Sequence, residues 1–122
     1  MSVVVVVGAS SDRSRFSNKA VRAFLQKGHA VYPVNPREQT IETLECHACI
    51  LDVPVRPDIV SVYVRPERVL KLLPDIARRG CGELWLNPGT VSDEVLREAD
   101  MFGLKAVEIC SIVALGFLPD SL

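Results

Sequence analysis

Val3-Val4-Val5-Val6-Val7-Gly8-Ala9-Ser10-Ser11 decides the fold. Five β-branched residues in a row favour an extended chain and leave no polar face. A strand that is apolar on both sides belongs in the middle of a parallel sheet with helices packed above and below. Gly8 ends the run and permits a sharp turn, or the close approach of another group.

Working outward, apolar strands alternate with helix-period segments. A helix is expected to start near Ser17 as its cap, with Ala20, Val21, Phe24 and Leu25 on one side, and to end at Gly28. Ala30 to Val34 reads as a second strand, stopped by Asn35-Pro36. Residues 37 to 57 are less regular: Ile41 and Leu44 suggest a helical turn, and Pro54 and Pro57 forbid a long element. Ile59 to Val64 is the third expected strand. Pro66 opens a helix that carries Pro74 inside it. Glu83 to Leu86, a helix capped by Ser92, and Leu104 to Ile109 complete the series. The tail beyond Cys110 is apolar and is read either as a dimer contact or as a segment folded back on the domain.

This alternation predicts one α/β domain over residues 1–122: a Rossmann-like three-layer sandwich with a five-stranded, mainly parallel, doubly wound sheet. In such sheets ligands bind outside the carboxyl ends of the strands, where the strand order reverses. Four segments fall on that rim: Gly8-Ala9-Ser10-Ser11, Val34-Asn35-Pro36, Val64-Arg65-Pro66 and Asn87-Pro88-Gly89.

Composition narrows the partners. The chain has 122 residues, 48% hydrophobic and 24% charged, with a formal net charge of −1. That is enough chain to bury a core without staples, and no global basic field favours nucleic acid. The apolar stretch Val3 to Ala9 is too short to span a bilayer. No export signal is evident, so a cytoplasmic location is expected.

The first rim segment carries most of the chemistry. Ser10 and Ser11 offer hydroxyls, the loop offers backbone N–H groups, and the following helix start offers more of them with a positive dipole end. Arg13, Arg15 and Lys19 lie alongside, with Arg65 a further cation, so a phosphate group is favoured. Read alone, Gly8 could equally be just a turn and the cations solvated. The G-x-G-x-x-G pattern of dinucleotide sites is missing, and strand two lacks the carboxylate at its end that ribose hydroxyls want. The phosphate loop of ATP hydrolysis is missing as well.

Val5-Val6-Val7-Gly8-Ala9-Ser10, Phe16-Ser17-Asn18-Lys19 and Gly28-His29-Ala30-Val31-Tyr32-Pro33-Val34-Asn35-Pro36 together resemble the small stand-alone CoA-binding proteins. Asp52-Val53-Pro54, Pro57-Asp58-Ile59-Val60, Val64-Arg65-Pro66-Glu67 and Leu84-Trp85-Leu86-Asn87-Pro88-Gly89 fit the same pattern. The resemblance runs from Val3 to about Cys110. It implies a domain similar to the amino-terminal domain of succinyl-CoA synthetase alpha subunits, with coenzyme A or an acyl-CoA as ligand. It implies phosphates on Gly8 to Ser11 and the next helix start, and the adenosine half against Val34, Asn35 and Pro36. Tyr63, Val64, Arg65 and Pro66 would flank the nucleotide or the pantetheine arm, and Asn87, Pro88 and Gly89 would border the arm's exit. Two segments depart from the family pattern: Glu45-Cys46-His47-Ala48, where a glycine and an aromatic are common, and Asn87, where many relatives carry glutamine.

No catalytic constellation emerges. Cys46 and Cys49 sit in an irregular stretch without a second ligand pair for zinc, so all four cysteines read as ordinary thiols. His29 starts a strand far from the rim and reads as a local hydrogen-bond partner; His47 has no partner by spacing. Asp93, Glu94, Glu98 and Asp100 read as a solvated helix face. Trp85 reads as core, with ligand stacking as the alternative. A Cys110 thiol near the rim could meet a CoA thiol. The expectation is a binding protein without catalysis. The alternatives are a degenerate Rossmann domain acting as an interaction module, and an NAD(P)-dependent oxidoreductase.

Overall fold

The computed structural model describes residues Met1–Leu122. Its centre is β1 (Val3–Val7), hydrogen-bonded on one side to β2 (Ala30–Val34) and on the other to β5 (Ile59–Val62). Val4, Val5 and Val6 are completely buried, as a two-sided apolar strand requires. With β6 (Glu83–Leu86) and β7 (Ala106–Glu108) the sheet order is β2-β1-β5-β6-β7, and every pairing is parallel.

Side-chain alternation along the strands sorts the core into two halves. Val5, Val7, Val60, Val62, Leu84 and Leu86 face α2 (Pro66–Arg79) and α3 (Asp93–Met101), meeting Val69, Leu73, Ile76, Val95 and Ala99. Val4 and Val6 face α1 (Phe16–Gln26), meeting Ala20, Val21 and Phe24. Helices therefore cover both faces, and the expected three layers are present. Pro66 occupies the first turn of α2, and the Ser92 hydroxyl accepts the Val95 amide at 3.1 Å to cap α3. Pro74 lies inside α2 on its exposed side, and the helix continues through it.

Four expectations need correction. α1 begins at Phe16, flanked by Arg15, and Ser17 lies buried within the helix instead of capping it. The polar turn comes earlier: Asp12 accepts both the amide (3.0 Å) and the hydroxyl (2.7 Å) of Ser14. The third strand stops at Val62, although the Tyr63 amide still reaches the Val7 carbonyl at 2.9 Å. The last strand is confined to Ala106–Glu108.

The fourth correction concerns Ile41 and Leu44, which form no helical turn. They face each other across a hairpin of β3 (Thr40–Ile41) and β4 (Leu44–Glu45). A two-residue turn sets residues three apart side by side on one face, the same spacing that a helical turn would give. Ile41 is buried there against the α1 side of the core.

The tail folds back on the domain. In α4 (Ser111–Ala114) Ile112 is buried, and Leu115, Phe117 and Leu122 pack on the same face as α1. Val113 and Leu118 stay exposed. No helix is long and apolar enough to cross a membrane.

The hairpin turn is built from Glu42 (φ 49°) and Thr43 (φ 66°), the only non-glycine residues in the left-handed region. Two-residue hairpins favour that conformation, but a β-branched residue adopts it at a cost. Thr43→Gly should raise stability by about 0.5–1 kcal/mol in urea unfolding at unchanged m-value. Equal or lower stability would show that Thr43 makes compensating contacts.

Candidate functional site

The strand order reverses between β1 and β5, which leave that junction for opposite halves of the sheet. At its carboxyl end the two strands approach too closely for a side chain. A Cβ on Gly8 would lie 2.7 Å from Val64 Cγ1 and 3.1 Å from the Tyr63 carbonyl oxygen, and Gly8 has φ +80°. Glycine is required here on both counts.

A cleft of about 270 Å³ opens at this point. Val7 and Gly8 form one wall and Val34, Asn35 and Pro36 a second. Val64, Leu72 and Ile76 close it from the α2 side, while Arg37 and Arg68 bring two exposed cations to its lining. Val34, Pro36 and Val64 thus share one apolar slot, as expected. Arg68, Leu72 and Ile76 were not anticipated as site residues. Their spacing of four places them on one stripe of α2, a signal already present in the sequence.

Asn35 holds two rim segments together. Its side-chain amide donates to the Ala9 carbonyl at 2.7 Å, and its oxygen accepts the Arg37 amide at 2.8 Å. The Gly8 and Ala9 amides both turn to the Val34 carbonyl, at 3.0 and 3.2 Å. Within the loop, the Asp12 amide donates to the Ser10 hydroxyl at 3.0 Å, and the Ser11 amide donates to the Glu38 carboxylate at 2.8 Å. The loop therefore presents fewer free amides than its composition suggests. The amides of Ser10, Arg13, Phe16, Ser17 and Asn18 meet no acceptor in the protein. They form the donor set at the mouth of α1.

The expected cations divide. Arg13 and Arg15 are well exposed beside the loop, Arg13 Nε lying 3.6 Å from Glu42 and Arg15 Nε 3.8 Å from Asp12. Lys19 points elsewhere: its ammonium donates to the Pro119 carbonyl at 2.9 Å. Arg65 is exposed at the start of α2 and does not line the cleft.

Several expected contact residues are interior. Asn18 is fully buried and its amide donates to the Ser10 carbonyl at 2.9 Å; Arg22, not singled out by sequence, donates to the Asn18 side-chain oxygen at 2.8 Å. Asn87 is fully buried, donating to Ser61 Oγ at 3.0 Å and to the Val62 carbonyl at 2.9 Å. Its oxygen accepts the Ser111 amide at 2.8 Å. The side chain is saturated and serves to fasten α4 to the sheet. Pro88 and Gly89 are exposed beside a separate shallow hollow that Cys110 also lines. Tyr63 turns to the α1 face, where its hydroxyl is buried without a hydrogen-bond partner. Burial, then the neighbouring Cys110, pushes that phenol well above its ordinary range, while nearby Ser111 and Ser61 oppose the rise. Pro66 stays at its helix-opening position.

Trp85 packs beside Phe24 at 6.0 Å and donates its indole N–H to Glu83 at 3.0 Å, on the face opposite the cleft. Core packing, the reading preferred for Trp85, is what the structure shows, and the stacking alternative falls. His29 Nδ1 accepts the Ser2 amide at 3.0 Å, the local role expected of it. All four cysteines are free thiols. Burial raises Cys46 and Cys81 above the ordinary thiol value, so neither favours the reactive thiolate. Cys49 lines the cleft, which its sequence neighbourhood did not reveal.

A parallel doubly wound sheet with a glycine-floored cleft at its reversal point is the architecture on which nucleotide-type ligands are commonly bound. The chain belongs to the CoA binding domain family, whose model matches residues 2–116. It is 24% identical over 115 residues to acetate–CoA ligase [ADP-forming] I of Archaeoglobus fulgidus, covering 86% of this chain and 17% of the ligase. The chain thus spans only a small part of that relative. A conserved hypothetical protein from Pyrococcus furiosus shares the fold with a TM-score of 0.87 at 29% identity, over 93% of this chain and 99% of that one. A dinucleotide-forming acetyl-coenzyme A synthetase 1 from Ca. Korarchaeum cryptofilum aligns with a TM-score of 0.77 at 27% identity, over 91% of this chain and 26% of that one.

The saturated Asn87 gives a stability test. Asn87→Ala strips partners from a buried amide and a buried carbonyl, and should cost roughly 2–4 kcal/mol in urea unfolding. A loss below about 1 kcal/mol would mean that water replaces the network.

The loop gives a pH test. Hydrogen bonds from the Ser14 hydroxyl and amide, helped by Arg15, hold the Asp12 carboxyl below its ordinary 3.8. A depressed folded-state value means that the turn is supported above pH 3.8 and released as the pH falls through the lower folded value. The Ser14 amide resonance should titrate with a midpoint under 3.8. A midpoint at or above the ordinary value would remove the Asp12 turn.

Proposed function

We propose that this chain binds coenzyme A or an acyl-CoA and supplies no catalytic group of its own. The observation that carries the proposal is the glycine floor at Gly8, where the reversal of the sheet, the apolar cleft and the unpaired amides at the mouth of α1 meet. Family membership and the likeness to acetate–CoA ligase support the choice of ligand.

At about 270 Å³ the cleft is somewhat small for a drug-sized ligand, whose pockets run from roughly 300 Å³ upward. It suits the adenosine part of CoA, between Val34, Pro36 and Val64. The diphosphate would lie on the open rim at Ser10, Ser11 and the first turn of α1, with Arg13 and Arg15 offsetting its charge. Arg37 and Arg68 are placed to offset a phosphate on the ribose. The pantetheine arm would then leave past Tyr63–Pro66 toward Pro88 and Gly89. His29 is committed to Ser2, and the His47 ring sits against Tyr32 with ring centres 6.1 Å apart, so neither imidazole lines the cleft.

Calorimetry with CoA, acetyl-CoA, NAD, NADP and ATP tests this. Micromolar binding confined to CoA and acetyl-CoA is expected. Preference for NAD or NADP would favour an oxidoreductase, and no binding at all an interaction module. Arg13→Ala should weaken CoA roughly tenfold through loss of a charge-assisted contact. Gly8→Val should abolish binding, because its side chain would collide with Val64. Unchanged affinity in both variants, with circular dichroism showing intact folds, would move the ligand away from this loop.

A further inference from the structure

Beside the unpaired amides, two of the donors that should receive the ligand's phosphates, the Ser11 amide and Arg13, already touch carboxylates. Glu38 Oε2 accepts the Ser11 amide at 2.8 Å. Glu42 Oε2 lies 3.2 Å from the Asn18 side-chain amide and 3.6 Å from Arg13 Nε. Asn18 in turn holds the Ser10 carbonyl at 2.9 Å. Two acidic side chains, four residues apart, thus cover the backbone and the cation that a diphosphate would use.

Their placement depends on an unusual piece of backbone. Glu42 sits at the tip of the β3–β4 hairpin with φ 49°, followed by Thr43 with φ 66°. Such turns are normally made by Asn and Gly. Left-handed residues of other kinds persist where surrounding contacts over-determine them, and they concentrate at clamps and switch segments. Ile41 anchors the hairpin in the core, and Asn35 fixes its approach through Ala9. Between these anchors, residues 37 to 40 and the hairpin tip have only side-chain contacts to the anion loop.

We propose that Glu38 and Glu42 form a carboxylate latch over the anion loop, which the phosphates of the incoming ligand must displace. The ligand assignment rests on the CoA proposal above; the latch itself rests on the contacts to Ser11, Asn18 and Arg13. In the free protein Glu38 stands where a phosphate oxygen would accept from Ser11. On binding, the ligand's diphosphate takes the Ser11 amide and Arg13, and the two carboxylates swing into solvent. No covalent step is involved. The latch keeps Arg13 paired and the loop ordered when no ligand is present, and it discriminates against weak monoanions, which cannot offset the loss of two carboxylate contacts.

The test compares wild type with Glu38→Gln and Glu38→Ala. Glu38 is half-buried at the surface and the Ser11 amide is exposed, so both variants should fold. Gln keeps an acceptor but loses the charge; Ala loses both. Calorimetry should show CoA and inorganic pyrophosphate binding about tenfold tighter in the variants, most strongly for Ala. In the ligand-free proteins the Ser11 amide resonance should shift upfield as its charged acceptor is lost. If CoA binds wild type and both variants equally, the latch is overturned while the CoA proposal stands. Weaker binding in the variants also overturns it and assigns Glu38 to the ligand, as an acceptor for ribose hydroxyls. If CoA binds none of the three, the CoA proposal falls and pyrophosphate decides the latch alone. Tighter pyrophosphate binding in the variants then sustains it, and equal or undetectable binding removes it.

Discussion

Between the carboxyl ends of β1 and β5 the backbone of Gly8 passes so near Val64 and Tyr63 that a single methyl group would not fit. That contact follows from the buried valine run. A strand apolar on both faces is pulled to the centre of the sheet, and its neighbours leave toward opposite edges. The chain emerging from it must turn at once into a left-handed conformation to clear the strand beside it. The cleft, the Gly8–Ser11 loop and the direction of α1 all descend from this one crowded junction.

Around the junction, order comes from asparagine. Asn35 ties the loop to the end of β2, Asn18 ties it to α1, and Asn87 ties the end of β6 to α4. Each uses both a donor and an acceptor, which a short amide provides without charge. Ionised side chains at the buried positions of Asn18 and Asn87 would carry a desolvation cost unless a paired opposite charge were buried with them. Rigid amides inside and mobile charges outside therefore divide the work: the first fix where the donors are, and the second adjust what they meet.

Strand and helix identities were legible because the valine run, the glycine stops and the Pro66 and Ser92 helix starts are local signals. The Ile41–Leu44 pair misled because a spacing of three satisfies a helical turn and a tight hairpin alike, and only the burial of Ile41 against α1 separates them. Ser17 misled because a serine before an apolar stripe reads as a cap wherever the stripe is long enough, while Asp12 had already taken the turn. At the site, Gly8, Val34, Pro36 and Val64 could be read from the rule about strand ends. Lys19 and Asn87 could not be placed, since the partners that hold them (Pro119 and Ser111) come from a tail with no clear periodicity, and Tyr63 turns to the face which that tail covers. Glu38 was invisible for a further reason. The dinucleotide pattern places a carboxylate at the very end of β2, whereas this chain carries one three residues beyond Asn35.

A protein with net charge −1 is poorly suited to attract a polyanion from a distance. Two of its rim arginines are already matched, Arg13 by Glu42 and Arg15 by Asp12, while Arg37 and Arg68 stay unpaired at the cleft. On the latch proposal, association with a phosphate-bearing ligand is an exchange of one anion for another at Arg13 and Arg15. Such an exchange gains little from long-range steering, and its affinity depends on geometry: two phosphates held at a fixed spacing can replace two independent carboxylates and leave both free to move. A loop built this way favours ligands whose negative charges are covalently linked. By the same proposal, single inorganic anions compete poorly, whereas pyrophosphate, with its linked charges, does not share that handicap.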